Sequence, residues 1–153
     1  MKAWLVLAAL AALAACAKPA EQQTAQPAGQ TSQAAPVTLP TTSRDPARVL
    51  IAWAEVMSLK QWGNAYRYWL ANGTGLTEAQ FAAKWGKLNN PEFEIHLGKF
   101  EGAAGSSFYT APVVLIDGAR QTKGKVVLRR VNDVPGATAE QLRWHIESMT
   151  IEP

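Results

Sequence analysis

Apolar residues recur at helical spacing in the first half of the region that begins at Ser43. Asp45 followed by Pro46 is typical of a helix N-cap and the first helical turn. The apolar positions that follow repeat every three or four residues and predict one helical face: Val49, Leu50, Trp53, Val56 and Met57. A second face of this kind, before the stop signal Asn72-Gly73, comprises Trp62, Ala65, Tyr66, Trp69 and Leu70.

A third, shorter helix is predicted between Thr77 and Gly86. Thr77 and Gln80 have the spacing of a capping box, in which each side chain bonds the backbone of the other residue. Phe81 and Trp85 supply the apolar face. The first half of the region is therefore predicted to form three helices.

The second half has the alternating pattern of strands. Alternation and a high content of β-branched and aromatic residues predict strands over 92–97, 107–116, 123–131 and 142–147, the last extending at most to Ile151. Asp117-Gly118 with a polar loop, and the segment from Asn132 to Thr138, are connection signals, and Glu101 to Ser106 predicts a tight loop. Helices followed by consecutive strands predict an α+β fold, with three N-terminal helices on one face of about four antiparallel strands.

This order of elements resembles the NTF2-like, or cystatin-like, fold over Asp45 to Glu152. The resemblance implies a curved sheet that wraps around the helices as a cone with an apolar cavity. The stretches EGAAGSSFY and LRRVNDVPGATAEQLRWHI are also similar to segments of small Gram-negative lipoproteins of unassigned function. This second likeness favours a cell-envelope location and implies no chemistry.

The first 15 residues have the pattern of a secretory signal peptide. Lys2 supplies a positive charge, and residues 3–15 form an apolar run shorter than the roughly 20 residues that span a bilayer. Leu13-Ala14-Ala15-Cys16 resembles the lipobox of bacterial lipoproteins. The resemblance implies cleavage before Cys16 and attachment of acyl chains such as palmitate, which together hold a protein at a membrane. Because Ala17 is not the aspartate associated with inner-membrane retention, the resemblance favours the periplasmic face of the outer membrane.

The pattern therefore divides the chain into three segments. Residues 1–15 are the predicted signal peptide, 16–42 the lipidated N-terminus with a flexible tether, and 43–153 the globular domain. The tether is rich in Ala, Gln, Pro, Thr and Ser and contains no aromatic residue, a composition that cannot bury enough apolar surface to order itself. Cys16 is the only cysteine, so the domain has no internal disulfide.

Composition argues against several classes of function. The domain is nearly neutral and has no basic stripe, which is unlike a nucleic-acid-binding protein. His96 and His145 are its only histidines and both fall on the polar phase of their strands, so no metal site and no cofactor is predicted. An enzyme of the NTF2-like kind would need a carboxylate in an apolar pocket. The candidate carboxylates lie out of phase with the apolar positions or in turns: Glu94, Asp117, Asp133 and Glu147.

Binding is therefore the leading expectation. Arg130 shares a face with Val126 and Leu128, so it should pair with Asp133 or Glu101, or orient an anionic ligand. The candidate ligand-binding residues are Tyr66, Trp69, Trp85, Tyr109, Arg130 and Trp144. We expect a non-catalytic, lipid-anchored envelope domain for a small apolar ligand or a protein partner. The alternatives are an isomerase, hydrolase or dehydratase that uses a pocket carboxylate, and a structural adaptor that forms a homodimer through the open sheet face.

Overall fold

The computed structural model of this protein describes residues 40–71 and 73–153. The predicted signal peptide, the lipidation site Cys16 and the tether before residue 40 lie outside the described residues.

The first helix begins directly after its predicted N-cap residue, Asp45. Helix α1 spans Pro46–Ser58, and the Asp45 carboxylate accepts a hydrogen bond from the Ala47 backbone N–H at 2.9 Å. This bond satisfies one of the donors that a helix N-terminus leaves unpaired. The predicted apolar face is confirmed, because all five of its members are buried: Val49, Leu50, Trp53, Val56 and Met57.

The second helix is shorter than its apolar pattern predicts. Helix α2 spans only Trp62–Tyr66. Beyond it, Trp69 forms an isolated parallel bridge with Ile146 of the last strand. The Leu70 N–H donates to the Ile146 carbonyl at 2.9 Å, and the Ile146 N–H donates to the Tyr68 carbonyl at 2.7 Å. The prediction that Trp69 and Leu70 continue the helix was wrong, because backbone bonds to a distant strand replace the helical ones.

The third helix agrees with its local signals. Helix α3 spans Glu78–Trp85, and Gly86 is its C-cap. Thr77 Oγ1 accepts from the Gln80 N–H at 3.2 Å, and Gln80 Oε1 accepts from the Thr77 N–H at 2.9 Å. The capping box is therefore confirmed.

Five antiparallel strands form one sheet. They are β1 (Pro91–Ile95), β2 (Lys99–Ala103), β3 (Ser106–Asp117), β4 (Arg120–Val131) and β5 (His145–Met149). The order is β1-β3-β4-β5, and β2 pairs with the other half of β3 along the edge that β1 occupies. The α+β class with an antiparallel sheet is confirmed. Strand β2 was missed because residues 101–106 have the composition of a loop, although only Ala104 and Gly105 separate the paired strands.

The edge of the sheet changes register between β1 and β2. Ile95 pairs with Val113 but Lys99 pairs with Thr110, so the edge contains one residue more than β3 does. Such a bulge bends a strand. It turns Leu97 outward to 92 % exposure, whereas alternation predicted a core position. Gly98 occupies the bend and donates its backbone N–H to the Tyr109 hydroxyl at 2.9 Å.

Helices α1 and α3 cover one face of the sheet. The rings of Trp53 in α1 and Phe93 in β1 have centroids 5.2 Å apart, and Trp85 of α3 lies 6.3 Å from the same Phe93 ring. The strand residues buried on this inner face include Tyr109, Ala111, Val113, Leu115, Val126, Leu128 and Ile146. The opposite, outer face carries the alternate positions of each strand.

Candidate functional site

The first of three clefts lies where the end of α2, the start of α3 and the turn before β5 meet. It has a volume of about 550 Å³ and is named the Arg143 cleft. Its wall combines two aromatic rings with four charged side chains: Tyr66, Trp69, Arg67, Glu78, Glu140 and Arg143. The segment Leu70–Ala71 forms part of the wall, and Pro40 and Thr42 border it. The bridge between Trp69 and Ile146 holds this segment beside the sheet.

A short network of polar contacts shapes one wall of the cleft. Arg143 donates from Nε to Glu140 Oε2 at 3.1 Å and from Nη2 to Glu140 Oε1 at 2.7 Å. The same Nη2 lies 3.2 Å from His145 Nδ1, and His145 Nε2 lies 2.9 Å from the Glu140 carbonyl. Because a guanidinium has donors only, His145 Nδ1 accepts and Nε2 carries the ring hydrogen.

This network changes the acid–base properties of Glu140 and occupies both ring nitrogens of His145. The hydrogen bond from Arg143 holds the pKa of the Glu140 carboxyl below its ordinary value, with burial opposing the shift. A carboxylate of lowered pKa is a weak base. His145 is buried with both nitrogens bonded, so the interpretation of it as a surface strand residue was wrong. The turn over residues 139–143 covers the ring, and alternation within one strand does not report such a cover.

Two donors in the cleft wall have unused hydrogen-bonding capacity. Arg143 Nη1 and Trp69 Nε1 are buried and have no hydrogen-bond partner among the described residues. A buried N–H without an acceptor costs roughly 1–3 kcal/mol.

A second cleft shares Leu70, Ala71 and Glu140 with the first. This His145 cleft has a volume of about 280 Å³, and Arg129, Arg130 and Val131 line it together with Glu140 and Gln141. Arg130 bonds Asp133 at 2.8 Å and lies 5.8 Å from the Trp144 ring. The prediction that Arg130 pairs with Asp133 is therefore confirmed, and Glu101 is not its partner.

Four of the six predicted binding residues surround these clefts. Tyr66 and Trp69 line the Arg143 cleft, and Arg130 lines the His145 cleft. Trp69 and Trp85 line a third hollow of about 160 Å³. Tyr109 and Trp144 line none of the three, because both rings are buried beneath Phe100, at centroid distances of 4.9 and 6.2 Å.

Sequence reasoning missed the charged half of the site. Arg143 and His145 were assigned to a strand that begins only at residue 145, and Glu140 was not considered. Thr138 and Gln141 offered the available signal, since they have the spacing of a capping box. Gln141 Oε1 accepts from the Thr138 N–H at 2.8 Å, and Thr138 Oγ1 accepts from the Gln141 N–H at 3.3 Å. This pair forms the turn that brings Glu140 to Arg143.

The four candidate carboxylates all lie outside the Arg143 cleft. Glu94 is exposed on the outer face of β1, and Glu147 lies 3.4 Å from Arg129. Hydrogen bonds from the backbone of Asn90 and Asn89 lower the pKa of Asp117. Side-chain hydrogen bonds from Arg130 and, less strongly, Arg44 lower the pKa of Asp133. The carboxylates with shifted pKa values are thus stabilised as anions.

Within residues 40–71 and 73–153, no group of three or more His, Cys, Asp or Glu side chains is placed to bind a metal ion. No helix in this part of the chain combines the length and apolar character needed to cross a bilayer. No protein-family model, curated protein or solved structure matches the chain.

Proposed function

We propose that this chain is a lipid-anchored, non-catalytic domain of the bacterial cell envelope that binds a protein partner through the Arg143 cleft. The observation that carries the proposal is the wall formed by Tyr66, Trp69 and Arg143. Tyr, Trp and Arg supply a large share of the energy at protein interfaces. The unsatisfied N–H groups of Trp69 and Arg143 favour a partner that inserts a carbonyl or carboxylate oxygen.

The composition of the cleft favours a protein over a small apolar ligand. Glu78, Glu140 and Arg67 give its rim both signs of charge. The inner face of the sheet is filled by large rings, among them Trp53, Trp85 and Phe81, each at most 2 % exposed. A polar rim around aromatic side chains is the usual anatomy of a protein interface.

The state of His145 and Glu140 supports a binding role over catalysis. Both ring nitrogens of His145 are bonded within the protein, and Glu140 is held as an anion by Arg143. A general base needs a free lone pair within reach of the substrate proton. His145 does not meet this requirement, and the lowered pKa of Glu140 makes its carboxylate a weak base.

The location and the finer fold are parts of the same proposal. The lipobox at Leu13-Ala14-Ala15-Cys16 supports anchoring at the periplasmic face of the outer membrane. The NTF2-like cone is supported by two bends of the sheet, at residues 96–98 and at the register shift opposite Val127 and Leu128. Bulges of this kind increase the curvature of a sheet.

Site-specific photo-cross-linking in intact cells tests the binding role. A photoreactive amino acid at Ala71, which is exposed in both the Arg143 and His145 clefts, should yield one protein adduct. The matched control is Ala83, an exposed alanine on α3 that lines none of the three clefts. Equal adducts at both positions, or none at Ala71, would contradict the proposal.

A charge reversal adds a second control. Arg67→Glu changes the rim of the cleft and should abolish the Ala71 adduct, whereas Lys87→Glu, also exposed but outside the cleft, should leave it unchanged. An adduct that survives Arg67→Glu at full yield would mean that the partner does not occupy the cleft.

A further inference from the structure

A groove lies between helix α1 and strand β1, at the edge of the sheet. It has a volume of about 330 Å³ and is named the β1 groove. Ile51 is 58 % exposed in it, and Phe93 and Ile95 are only partly buried, so three large apolar side chains are accessible there. The lining residues come from one face of α1 and the inner side of β1: Ile51, Ala54, Glu55, Ser58, Phe93 and Ile95.

Strand β1 also directs backbone groups to its open side. In an antiparallel pair, hydrogen-bonded and non-hydrogen-bonded positions alternate along the strand. The His96 N–H donates to the Pro112 carbonyl of β3 at 3.0 Å, so Glu94, in the same phase, also bonds β3. The N–H and C=O groups of Phe93 and Ile95 therefore point away from β3. No residue outside the sheet, among those described, bonds them.

The open part of this edge is short. Pro91 begins β1 and has no N–H, and the bend at Gly98 ends it. Such features prevent long edge-to-edge pairing. Strand β2 continues the edge beyond the bend, but the β1 groove does not extend to it. The edge that borders the groove therefore fits a strand of about four residues.

The charges beside the open edge are acidic. Glu92 and Glu94 are exposed on the outer side of β1, and Glu55 lies in the groove wall. Within the part of the chain that the structure describes, none of the three forms an ion pair. An incoming strand therefore meets carboxylates that have no cation of their own.

The bases of this region do not lie on the open side of β1. Arg48 precedes the groove residues of α1 and lies 3.7 Å from Asp45. Lys60 follows α1 and attracts the Asp117 carboxylate. The others lie one strand further into the sheet, at the bend or on β2: Lys123, His96 and Lys99.

We propose that the β1 groove binds an extended segment of a partner protein in which basic and apolar residues alternate. The segment adds to β1 as an antiparallel sixth strand. Its residues opposite Phe93 and Ile95 exchange backbone hydrogen bonds with them and direct apolar side chains into the groove. Its residues opposite Glu92 and Glu94 lie on the outer side, where their basic side chains start about 5 Å from the acidic ones.

Charge distinguishes this segment from two other occupants. The predicted tether, residues 17–39, has Lys18 as its only base, so it lacks the alternating cations. Pairing β1 with β1 of a second copy sets Glu92 and Glu94 against the same two acids. Like charges directly opposite each other are destabilising. A segment with alternating bases is attracted to both carboxylates.

Fluorescence anisotropy of a labelled peptide tests the alternating pattern. The probe is KVKVKVK with blocked ends, added to the detergent-solubilised full chain. It should bind about tenfold more tightly than EVEVEVE, because the acidic peptide places like charges opposite Glu92 and Glu94. It should also bind more tightly than KKKKVVV, which has the same composition without alternation. Equal binding of KVKVKVK and KKKKVVV, or no binding of KVKVKVK, would overturn the proposal.

N-methylation distinguishes strand addition from attraction between charges. In the proposed pairing the valine N–H groups of the peptide face β1, and the lysine N–H groups face solvent. N-methylation of the valines should therefore abolish binding, whereas N-methylation of the lysines should leave it unchanged. Equal losses, or the opposite result, would contradict the antiparallel sixth strand.

Two matched pairs of variants locate the site. Glu94→Lys should weaken binding of KVKVKVK about tenfold, whereas Glu101→Lys, an exposed acid on β2 outside the groove, should leave it unchanged. Ile51→Gln should also weaken it about tenfold, and Leu59→Gln, at a comparably exposed position outside the groove, should not.

Two outcomes of these measurements would overturn the proposal. One is binding that survives Glu94→Lys at full strength. The other is binding that appears only after deletion of residues 17–39, which would mean that the chain's own tether fills the groove. Failure here leaves the Ala71 adduct unaffected, because the β1 groove and the Arg143 cleft share no lining residue.

Discussion

Arg143 and Glu140 form a two-point ion pair in which the guanidinium is almost buried and the carboxylate is not. The Arg143 side chain is 10 % exposed and the Glu140 side chain 68 % exposed, with Nη2 and Oε1 2.7 Å apart. We expect Glu140→Ala to lower the free energy of unfolding by roughly 1–3 kcal/mol, because it removes both carboxylate acceptors from a buried donor. Urea denaturation measures the loss. Glu140→Gln retains one acceptor oxygen and should lose less; an unchanged stability in Glu140→Ala would show that the ion pair contributes nothing.

Gly98 and Gly102 lie near each other on the same edge of the sheet but differ in surroundings. A Cβ on Gly98 would lie 2.5 Å from the Tyr109 ring and 2.7 Å from the Thr110 carbonyl oxygen. Gly98→Ala should therefore cost roughly 1–3 kcal/mol of unfolding free energy, since the β1–β2 bend must open. Gly102→Ala meets no atom within 4 Å and should change stability by no more than about 0.5 kcal/mol. Thermal unfolding of the two variants makes the comparison, and similar losses would contradict it.

The lowered pKa of Asp133 makes the stability of the protein depend on pH. Hydrogen bonds from Arg130 and Arg44 hold its pKa below the unfolded value of about 3.9. Its contribution is therefore present above pH ~4 and is lost as pH falls through the folded pKa. Unfolding free energy measured by urea between neutral and acidic pH should decline less steeply in Asp133→Asn than in the wild type. Asp117 and Glu140 have lowered pKa values as well, so a residual decline remains.

Two buried tryptophans should respond differently to loss of the indole N–H. Trp144 Nε1 donates to the Arg44 carbonyl at 2.9 Å, whereas Trp53 Nε1 has no partner among the described residues. Trp144→Phe removes a real hydrogen bond and should cost about 1 kcal/mol more than Trp53→Phe. Trp53→Ala, which empties a fully buried site, should cost roughly 3–5 kcal/mol. Chemical denaturation followed by far-UV circular dichroism reports all three, and a larger loss in Trp53→Phe than in Trp144→Phe would contradict the assignment.

If Cys16 carries the lipid anchor, we expect its substitution to change where the protein is found but not how the domain folds. Cys16→Ser should leave the circular dichroism and melting temperature of the domain unchanged, because Cys16 precedes the predicted domain and tether. It should also move the protein from the membrane fraction to the soluble fraction, since acyl chains supply the membrane affinity. Immunoblotting of salt-washed membranes measures the distribution. A variant that still sediments with the membranes would refute the anchor.

Local signals predicted the elements whose stabilising bonds are themselves local. Helices α1 and α3 begin at their expected caps because Asp45 and Thr77 bond backbone groups two or three residues away. Strands β3 and β4 were predicted from their content of aromatic and β-branched residues, and a two-residue turn at Gly118-Ala119 joins them with φ +62° at Gly118. Such contacts require no information from elsewhere in the chain.

The end of α2 was mispredicted because of a distant contact, whereas the charged residues of the site were missed because they belong to a turn that was taken for a connection and a strand. Trp69 does not continue the predicted helix because Tyr68 and Leu70 form backbone hydrogen bonds with Ile146. His145 is buried because the turn at residues 139–143 covers it. The residues of the Arg143 cleft also fall into a predicted group and a missed group. Tyr66 and Trp69 were predicted from their residue types, whereas Arg143 and Glu140 were missed because their pairing depends on that turn.

The sequence alone determined the α+β class, the caps of α1 and α3, and the apolar faces that meet in the core. Periodicity and capping act over a few residues and can therefore be read directly from the chain. Only the tertiary structure decided where α2 ends, where the sheet edge bends at Gly98, and which charges meet around the Arg143 cleft. The end of α2 and the bend depend on hydrogen bonds to other strands, and the charges around the cleft depend on where the turn at residues 139–143 meets the end of α2 and the start of α3.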